Sequence, residues 1–535
     1  MRRFHSYGPV DCRYHFCVER QALVEQCLSQ LVGVPEEGGY YFTIWGPRQT
    51  GKTWLMRQAK QEITARYGEQ FTVFHFSFGN LRGMGEGLTA QFDKILLPVP
   101  FRDVLESELP RSPVVNEWKD FGKLFSRESG LWDRPLILLI DEADTAPPLL
   151  LDWIVGRFRE LYLNRERNWL HGLALIGVRA VLGIESRRGS PFNVQRSLHV
   201  PNFTQAEVQD LFQQYQAESG QVIEPAVVEQ VYRGTNGQPG LVGWFGELLT
   251  EKYNPGVGKV IGAETWEVVW HKARFVEPNN TVLNLIAKAR QLEYQGFLLT
   301  LFTRADLPFA FHDPVVSYLY MHGLIESTMV RQPNGELNEL CRFSSPFVQD
   351  TLYHALSSDL VGDTLPTLAL HPLDDLADVF AQPNVLDLPA LLRRYKEYLV
   401  RLKAKGINPW KEQPRRQTDM HLTEAVGHFH LYAWLQSAIG RRCAVMPEFP
   451  TGNGRVDLHI GCKAQRGIIE VKSFVNQYQA GEDRKQAAHY AQRLGFDRVT
   501  MAVFVPIEDE SVLEKLSVTE TITGVAVTVV AIGWT

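Results

Sequence analysis

The sequence predicts an α/β protein: a parallel sheet packed between helices, then a helical section, then a second and smaller α/β domain. Three observations carry this. The short runs 136–140 (LILLI) and 173–178 (LALIGV) are continuously apolar, as strands buried on both faces of a parallel sheet must be. Stretches with helical spacing alternate with such runs over the first two hundred residues, the pattern of a three-layer core. Beyond residue 358 the composition changes twice, which marks a boundary and a separate domain.

The length, 535 residues, accommodates three or four domains at roughly 150 residues each. With 44% apolar and 22% charged residues the chain is of ordinary globular composition, which excludes collagen-like, coiled-coil and wholly disordered classes. Its net charge of −6 excludes a uniformly basic coat. Six cysteines are scattered without a C-x-x-C pair, so neither a zinc ribbon nor a disulfide framework is expected, and reduced thiols in a cytoplasmic protein are; Cys12, Cys17 and Cys27 lie close enough in sequence to pair or bind metal, but buried or incidental cysteines are the expectation. Met1-Arg2-Arg3-Phe4-His5 has no apolar region behind it, so no signal peptide is expected. No run approaches the ~18 apolar residues of a membrane span.

Residues 40–46 (YYFTIWG) read as a strand entering a glycine loop, 52–66 as a helix, and 71–77 (FTVFHFS) as a second strand. From about 204 the pattern turns helical. Thr204 and Glu207 have the spacing of a capping box, and 234–240 (GTNGQPG) is a turn cluster before another helix. Residues 282–356 combine helical stretches with a hairpin turning at Asn334-Gly335, a winged-helix-like pattern. Residues 358–390 hold six aspartates, four prolines and no Lys or Arg, and read as a connector. Residues 391–416 then carry nine Lys and Arg against two Glu and Asp419 lies beyond them, so the charge reverses. From 391 to 535 there are 20 Lys and Arg against 15 Asp and Glu, so the mild acidity of the chain belongs to its first 390 residues.

Gly46-Pro47-Arg48-Gln49-Thr50-Gly51-Lys52-Thr53 fits the phosphate-binding spacing G-x-x-x-x-G-K-[ST], between a strand and a helix. Glycines let backbone N–H groups wrap around phosphates at a helix N-terminus, where the dipole favours negative charge. Lys52 is placed to reach the β- and γ-phosphates of ATP, and Thr53 to give Mg2+ an oxygen. The apolar strand 136–140 ends in Asp141-Glu142. Asp141 is the candidate to hold Mg2+ and Glu142 to position or deprotonate the attacking water.

A second constellation lies near the C-terminus. Val456, Leu458 and Ile460 alternate with Asp457 and His459, and Ile468–Lys472 forms another short strand, joined through 461–467. Glu470 and Lys472 are two apart and share a face, which a hairpin would set beside Asp457. Two carboxylates that bind Mg2+, with a lysine to orient water or stabilise charge at phosphorus, constitute a nuclease-type centre. Glu424, in the helical stretch 420–436, is placed as a third acidic group, with Glu448 a weaker alternative. Gln486 and Tyr490 are one turn apart on a later helix.

These residues support two resemblances. Gly46–Thr53 and Asp141–Glu142 resemble the Walker A and B motifs of AAA+ and related P-loop ATPases, over residues 1–357. The resemblance implies a sensor strand at 173–178, with Arg179 sensing the γ-phosphate as in the signal-transduction branch. Arg187, Arg188 and Arg196 are then candidates for an arginine finger, which acting in trans would require a homo-oligomer. Gly237-Gln238-Pro239 resembles that branch's G-x-P lid turn. The C-terminal constellation resembles the PD-(D/E)xK nuclease superfamily, especially its RecB-like branch with a Gln-x-x-x-Tyr helix. The usual proline before the first aspartate is replaced here by Val456. That resemblance implies catalysis by Glu424, Asp457, Glu470 and Lys472, with Gln486 and Tyr490 shaping the site or touching nucleic acid. The whole chain resembles prokaryotic fusions of the two.

The implied organisation is a P-loop ATPase core (1–200), a helical lid (201–275), a winged-helix-like unit (276–357), an acidic connector (358–390) and a nuclease-like domain (391–535). The implied activity is an ATPase whose nucleotide cycle controls a Mg2+-dependent nuclease acting on DNA, in genome defence or mobile-element control by analogy. The alternative from the same residues is a nucleotide-switched sensor or loader whose C-terminal domain binds nucleic acid or a partner without cutting.

Overall fold

The computed structural model describes residues 1–34, 38–79, 117–146, 148–177, 196–256, 258–304, 306–331, 335–361, 376, 378–380, 386–411, 413, 415–416, 419–440, 443–447, 457–462 and 465–534. The chain divides into two compact units. The first is Met1–Thr281 with the short pieces Tyr320–Gly323 and Ser345–Phe347; the second is Val282–Leu319, Leu324–Ser344 and Val348–Thr535.

In the first unit β1 (Tyr41–Trp45), α1 (Gln21–Val32), α2 (Lys52–Tyr67), β2 (Thr72–Ser77), β3 (Leu136–Asp141), α3 (Pro148–Leu163), β4 (Leu170–Gly177) and β5 (Arg196–His199) form the core. The five strands run in the order β2-β3-β4-β1-β5, every neighbouring pair parallel. Strand β3 shows why its sequence is apolar at every position. Leu136, Leu138 and Ile140 pack with Phe121, Phe125 and Phe158 on one face, while Ile137 and Leu139 pack against Leu28, Leu55 and Ile63 of α1 and α2 on the other. The expected strands at 40–46, 71–77, 136–140 and 173–178 are all present, with bounds shifted by a few residues. Strand β5 was not foreseen; it is short and its sequence, RSLH, has one buried apolar residue, Leu198.

Helices α4 (Gln205–Ser219), α5 (Pro225–Thr235), α6 (Pro239–Glu247) and α7 (Ala263–Phe275) follow. Thr204 and Glu207 close the expected capping box, each bonding the other's backbone N–H at 3.2 and 2.7 Å. The turn cluster at 234–240 bends through Asn236 and Gly237, both at positive φ.

The second unit contains α8 (Asn280–Ala289), α9 (Leu292–Thr303), α10 (Pro314–Met321), the antiparallel hairpin of β6 (Ile325–Arg331) and β7 (Leu337–Phe343), α11 (Pro346–Val361), α12 (Leu388–Ala404), α13 (Glu424–Ile439), β8 (Ala444–Pro447), β9 (Asp457–Cys462), β10 (Gln465–Ser473), α14 (Gln477–Arg493), β11 (Arg498–Val505), α15 (Glu510–Leu516), β12 (Thr519–Ile522) and β13 (Val525–Gly533). Helices α8, α10 and α11 begin or end within residues grouped with the first unit. Asn334 of the expected hairpin turn lies outside the described residues; Gly335 adopts φ +89°. Helix α12 starts inside the stretch read as connector, because Asp387 accepts the Ala390 N–H at 2.9 Å and caps it. Strands β12-β13-β11-β10-β9-β8 form a mixed sheet in which β13, β11 and β10 are parallel. Ala487, Ala488 and Ala491 of α14 close on Ile468, Val499, Met501 and Val527.

One expectation fails. Cys12 pairs with Cys17 and Cys443 with Cys462 as disulfides, while Cys27 and Cys341 are free and buried. The first pair meets across a tight turn in which the Tyr14 and His15 N–H groups both bond the Asp11 carbonyl, and the second meets where β8 lies beside β9. Cys12 and Cys17 are close in sequence, whereas the second proximity is made by strand pairing. No helix among the described residues is long and apolar enough to cross a membrane.

Phe158, fully buried among Phe121 and Phe125, holds α3 to the sheet. Phe158→Ala is expected to cost about 3–5 kcal/mol, read as a lower denaturant midpoint for the transition that reports on the first unit.

Candidate functional site

The first candidate centre is built where β1 ends. Residues 46–51 turn sharply into α2, with Gly51 at φ +95° as its N-cap and Gln49 at φ +59°, a conformation that non-glycine residues adopt at a cost. The Lys52 ammonium folds back on this loop, donating to the Gly46 carbonyl at 2.8 Å and the Pro47 carbonyl at 2.6 Å. Burial pulls its pKa down to about 8, against the raising influence of Asp144 and Asp141. The Thr53 hydroxyl donates to the Asp141 carboxylate at 2.8 Å. Hydroxyl and carboxylate are thus already together, and hard oxygen donors of this kind suit Mg2+.

Glu142 leaves β3 in the left-handed region, at φ +53°. Its N–H bonds the Asp141 carboxylate at 2.9 Å and its own carboxylate accepts from the Ser77 hydroxyl at 2.9 Å. Ser77 lies directly across from Asp141 in the β2–β3 register, so parallel pairing delivers it to the carboxylate. Sequence reasoning missed Ser77; its place at the end of an expected strand was the available signal. It also missed His75, two residues back, which lines the same cavity with a buried Nε2 that has no hydrogen-bond partner. Burial lowers the pKa of its imidazole.

These groups line a cavity of about 510 Å3. Its other walls come from the N-terminal segment (Gly8, Pro9, Val10, Phe16) and from Pro239, Gly240 and Gly243 of α6. The Gln238 amide donates to the Arg48 carbonyl at 2.9 Å, so the expected lid turn touches the loop itself. At Gly240 a Cβ would fall 2.2 Å from the Gln49 Oε1 and 2.6 Å from its Cβ, so only glycine permits this approach. The next two glycines of α6 are used likewise: Gly243 receives the His5 backbone and Gly246 the Phe4 ring. Arg179, Arg187 and Arg188 lie outside the described residues. Arg196 is placed by its backbone, in β5, without its side chain being described.

The second candidate centre is in the β9–β10 hairpin. Asp457 opens β9 directly opposite Glu470 of β10, a register that sets the two positions on one face. The side chain of Asp457 is outside the described atoms, as is Glu448 entirely. Glu470 and Lys472 are both almost wholly buried, at 2% and 3% exposure. The Lys472 ammonium meets the Glu470 carboxylate at 2.6 Å and the Glu424 carboxylate at 3.3 Å. It also donates to the Val471 carbonyl at 3.1 Å. Glu424 is the first residue of α13, after the Thr423 cap, so helix entry and strand end converge on one lysine. Among the described residues no three His, Cys, Asp or Glu are grouped to hold a metal ion; the donors that fit Mg2+ by chemistry are the carboxylates of Glu470 and Glu424 and the unplaced one of Asp457.

Gln486 is exposed on α14 and Tyr490 is half-buried. Neither lines the small cavity beside Lys472. There α14 presents Asp483 and Arg484, three and two residues earlier than Gln486. Asp483 is buried and accepts from the Gln479 amide at 3.0 Å. The basic run is largely committed to the fold: Lys396 pairs with Glu510 at 2.5 Å, Lys403 with Glu508, Arg394 with Asp378 and Arg416 with Asp419, and Arg415 lies over the Trp534 ring at 4.5 Å. Arg393 and Lys405 remain exposed.

No known protein family matches the chain, and neither does any curated protein. Several solved structures do. The Orc1 protein of Aeropyrum pernix in complex with DNA is 15% identical, over 63% of this chain and 93% of that one, with a TM-score of 0.30. A Walker-type ATPase of Pyrococcus abyssi is 15% identical over 65% and 99%, with a TM-score of 0.39. The RuvB Holliday junction branch migration motor of Thermotoga maritima is 15% identical over 59% and 91%, with a TM-score of 0.32. Likenesses this slight assign no function. The P-loop α/β fold of the first unit follows from its own sheet order, phosphate loop and acidic strand end.

Two outcomes follow from this geometry. Gly240→Ala forces Gln49 and the loop aside, and nucleotide affinity is expected to fall about tenfold, as measured by titration with a fluorescent ATP analogue. Glu470→Ala leaves Lys472 buried with one partner fewer; a loss of about 3–5 kcal/mol is expected, read in the unfolding transition of the second unit.

Proposed function

We propose that the first unit binds and hydrolyses ATP with Mg2+ as AAA+ ATPases do, and that its nucleotide cycle controls a Mg2+-dependent phosphodiesterase in the second, with DNA as the substrate. The observation that carries the first half is the Thr53–Asp141 contact, with Glu142 held beside it at the mouth of the phosphate loop. That which carries the second is the convergence of Glu470, Glu424 and Lys472, with Asp457 opposite Glu470 in the strand register.

In the first centre the loop N–H groups and Lys52 receive the phosphates, exchanging the Gly46 and Pro47 carbonyls for them. Thr53 and Asp141 would hold Mg2+, which would supply neutralisation of the phosphate charge. Glu142 orients the attacking water, and the Ser77 hydroxyl fixes the direction of its carboxylate. Gln238 and Gly240, resting on Arg48 and Gln49, make the lid responsive to loop position. In the second centre Lys472 steers water or stabilises charge at phosphorus, and Glu470, Asp457 and Glu424 are the metal-binding and proton-accepting groups. The domain reading is an ATPase core to about 200, a lid to 275, a winged-helix-like section to 357 and a nuclease-like domain from about 391. Arg187, Arg188 or Arg196 supplies an arginine finger to a neighbouring copy.

The test is cleavage of plasmid and linear DNA with Mg2+, with and without ATP. Wild-type chain is expected to cut. Asp457→Ala should lower the rate by about a hundredfold or more while nucleotide binding persists. Lys52→Ala should abolish nucleotide binding and the response to ATP. Cleavage that survives Asp457→Ala overturns the catalytic assignment, and a wild-type chain inert with both Mg2+ and Mn2+ returns the second unit to a binding role.

A further inference from the structure

The six cysteines differ sharply in their access to solvent. Cys27 and Cys341 are buried thiols, and burial pushes their pKa up to about 12 and about 11, which removes the reactive thiolate at neutral pH. Cys443 and Cys462 are paired and nearly inaccessible, at 5% and 6% exposure. Cys12 and Cys17 are paired and only half-buried. Theirs is the pair that a small thiol or disulfide in solution reaches.

Their position gives that access a consequence. Cys17 lines the 510 Å3 cavity, together with Val10, Phe16 and Val18 of the same segment. The segment is anchored by the Phe16 ring on Phe4 at 5.2 Å and Tyr215 at 6.0 Å and by His15 stacked on His5 at 4.0 Å, while the Arg3 backbone bonds Tyr14 and Phe16 and the Gln214 amide donates to the Cys17 carbonyl at 2.9 Å. Between Val10 and His15 the chain is a surface turn, with Arg13 and Tyr14 exposed. The Cys12–Cys17 bond adds a covalent tie between that turn and the cavity wall, beside the hydrogen bonds that Asp11 makes with Tyr14 and His15.

We propose that Cys12 and Cys17 form a thiol–disulfide exchange site whose oxidation state sets the affinity of the adjoining cavity for nucleotide. This rests on the reading of that cavity as an ATP site. The co-reactant is a low-molecular-weight disulfide such as oxidised glutathione. The thiolate of one cysteine attacks it, forming a mixed disulfide and expelling one small thiolate. The thiolate of the second cysteine attacks the protein-bound sulfur, closing the Cys12–Cys17 bond and expelling the other. The two protein thiols lose two protons and two electrons, and the small disulfide gains them as two thiols. The closed wall is already ordered when nucleotide arrives; the open wall is ordered at the expense of affinity.

The experiment uses the full chain and N-methylanthraniloyl-ATP, after equilibration with either oxidised glutathione or a phosphine reductant. Non-reducing peptide mapping follows the Cys12–Cys17 peptide. The oxidised chain is expected to bind the probe about three- to tenfold more tightly than the reduced chain. Cys12→Ser and Cys17→Ser should each bind with the reduced affinity in both conditions, with thermal midpoints equal to that of the reduced wild-type chain showing that they fold. Cys443→Ser should keep the full response. Equal affinities with the Cys12–Cys17 peptide present overturn the proposal, as does failure of that peptide to form. A chain that binds no probe in either state overturns the ATP reading and this inference with it, whereas equal binding that Lys52→Ala abolishes overturns the inference alone.

Discussion

The bond between the Thr53 hydroxyl and the Asp141 carboxylate is the constraint on which the first unit is organised. It ties the first turn of α2 to the end of β3, two elements 88 residues apart in sequence. For that bond to form, β1 and β3 must lie in one parallel sheet, each buried on both sides, and the loop between β1 and α2 must turn within six residues. The apolar strands, the left-handed Gln49 and the glycine cap at Gly51 are the local consequences. With that bond in place, Ser77 follows from strand register alone, since the residue paired with Asp141 is the one that reaches Glu142.

The second unit is organised around a different constraint, a lysine that is almost completely out of water. A buried ammonium is tolerable only when its protons are all met. Here Glu470, Glu424 and the Val471 carbonyl meet them. Strand pairing places Glu470 and Asp457 opposite each other, and the start of α13 brings Glu424 in from outside the sheet. Charge concentrated in this way is costly for stability unless every member keeps its partners.

Most of the first unit was legible in the sequence, because a parallel sheet writes itself as apolar runs and a phosphate loop as glycines at fixed spacing. Glu424, Glu470 and Lys472 were legible as a group, since period-two spacing and one helix start sufficed. What was not legible depended on pairings that no local pattern encodes. Strand β5 carries a single apolar residue, so its membership of the sheet is decided by β1. Asp483, rather than Gln486, lines the small cavity beside Lys472, because the rotation of α14 is set by its alanines packing on the sheet. The basic run shows in the sequence only as a reversal of charge, yet four of its cations are met by Glu508, Glu510, Asp378 and Asp419, three of them more than a few residues away. The Cys443–Cys462 pair was hidden for the same reason.

Helix α6 carries a last consequence. Three of its nine residues are glycine, at 240, 243 and 246, and each is a notch filled from outside by Gln49, His5 or Phe4. Relative to alanine, three glycines disfavour the helical state by about 3 kcal/mol, a large share of what any nine-residue helix can muster alone. The segment is therefore helical on loan from its neighbours. Its order is conditional on the phosphate loop and the N-terminal segment being in their seats, so a displacement of either is felt as a loss of helix.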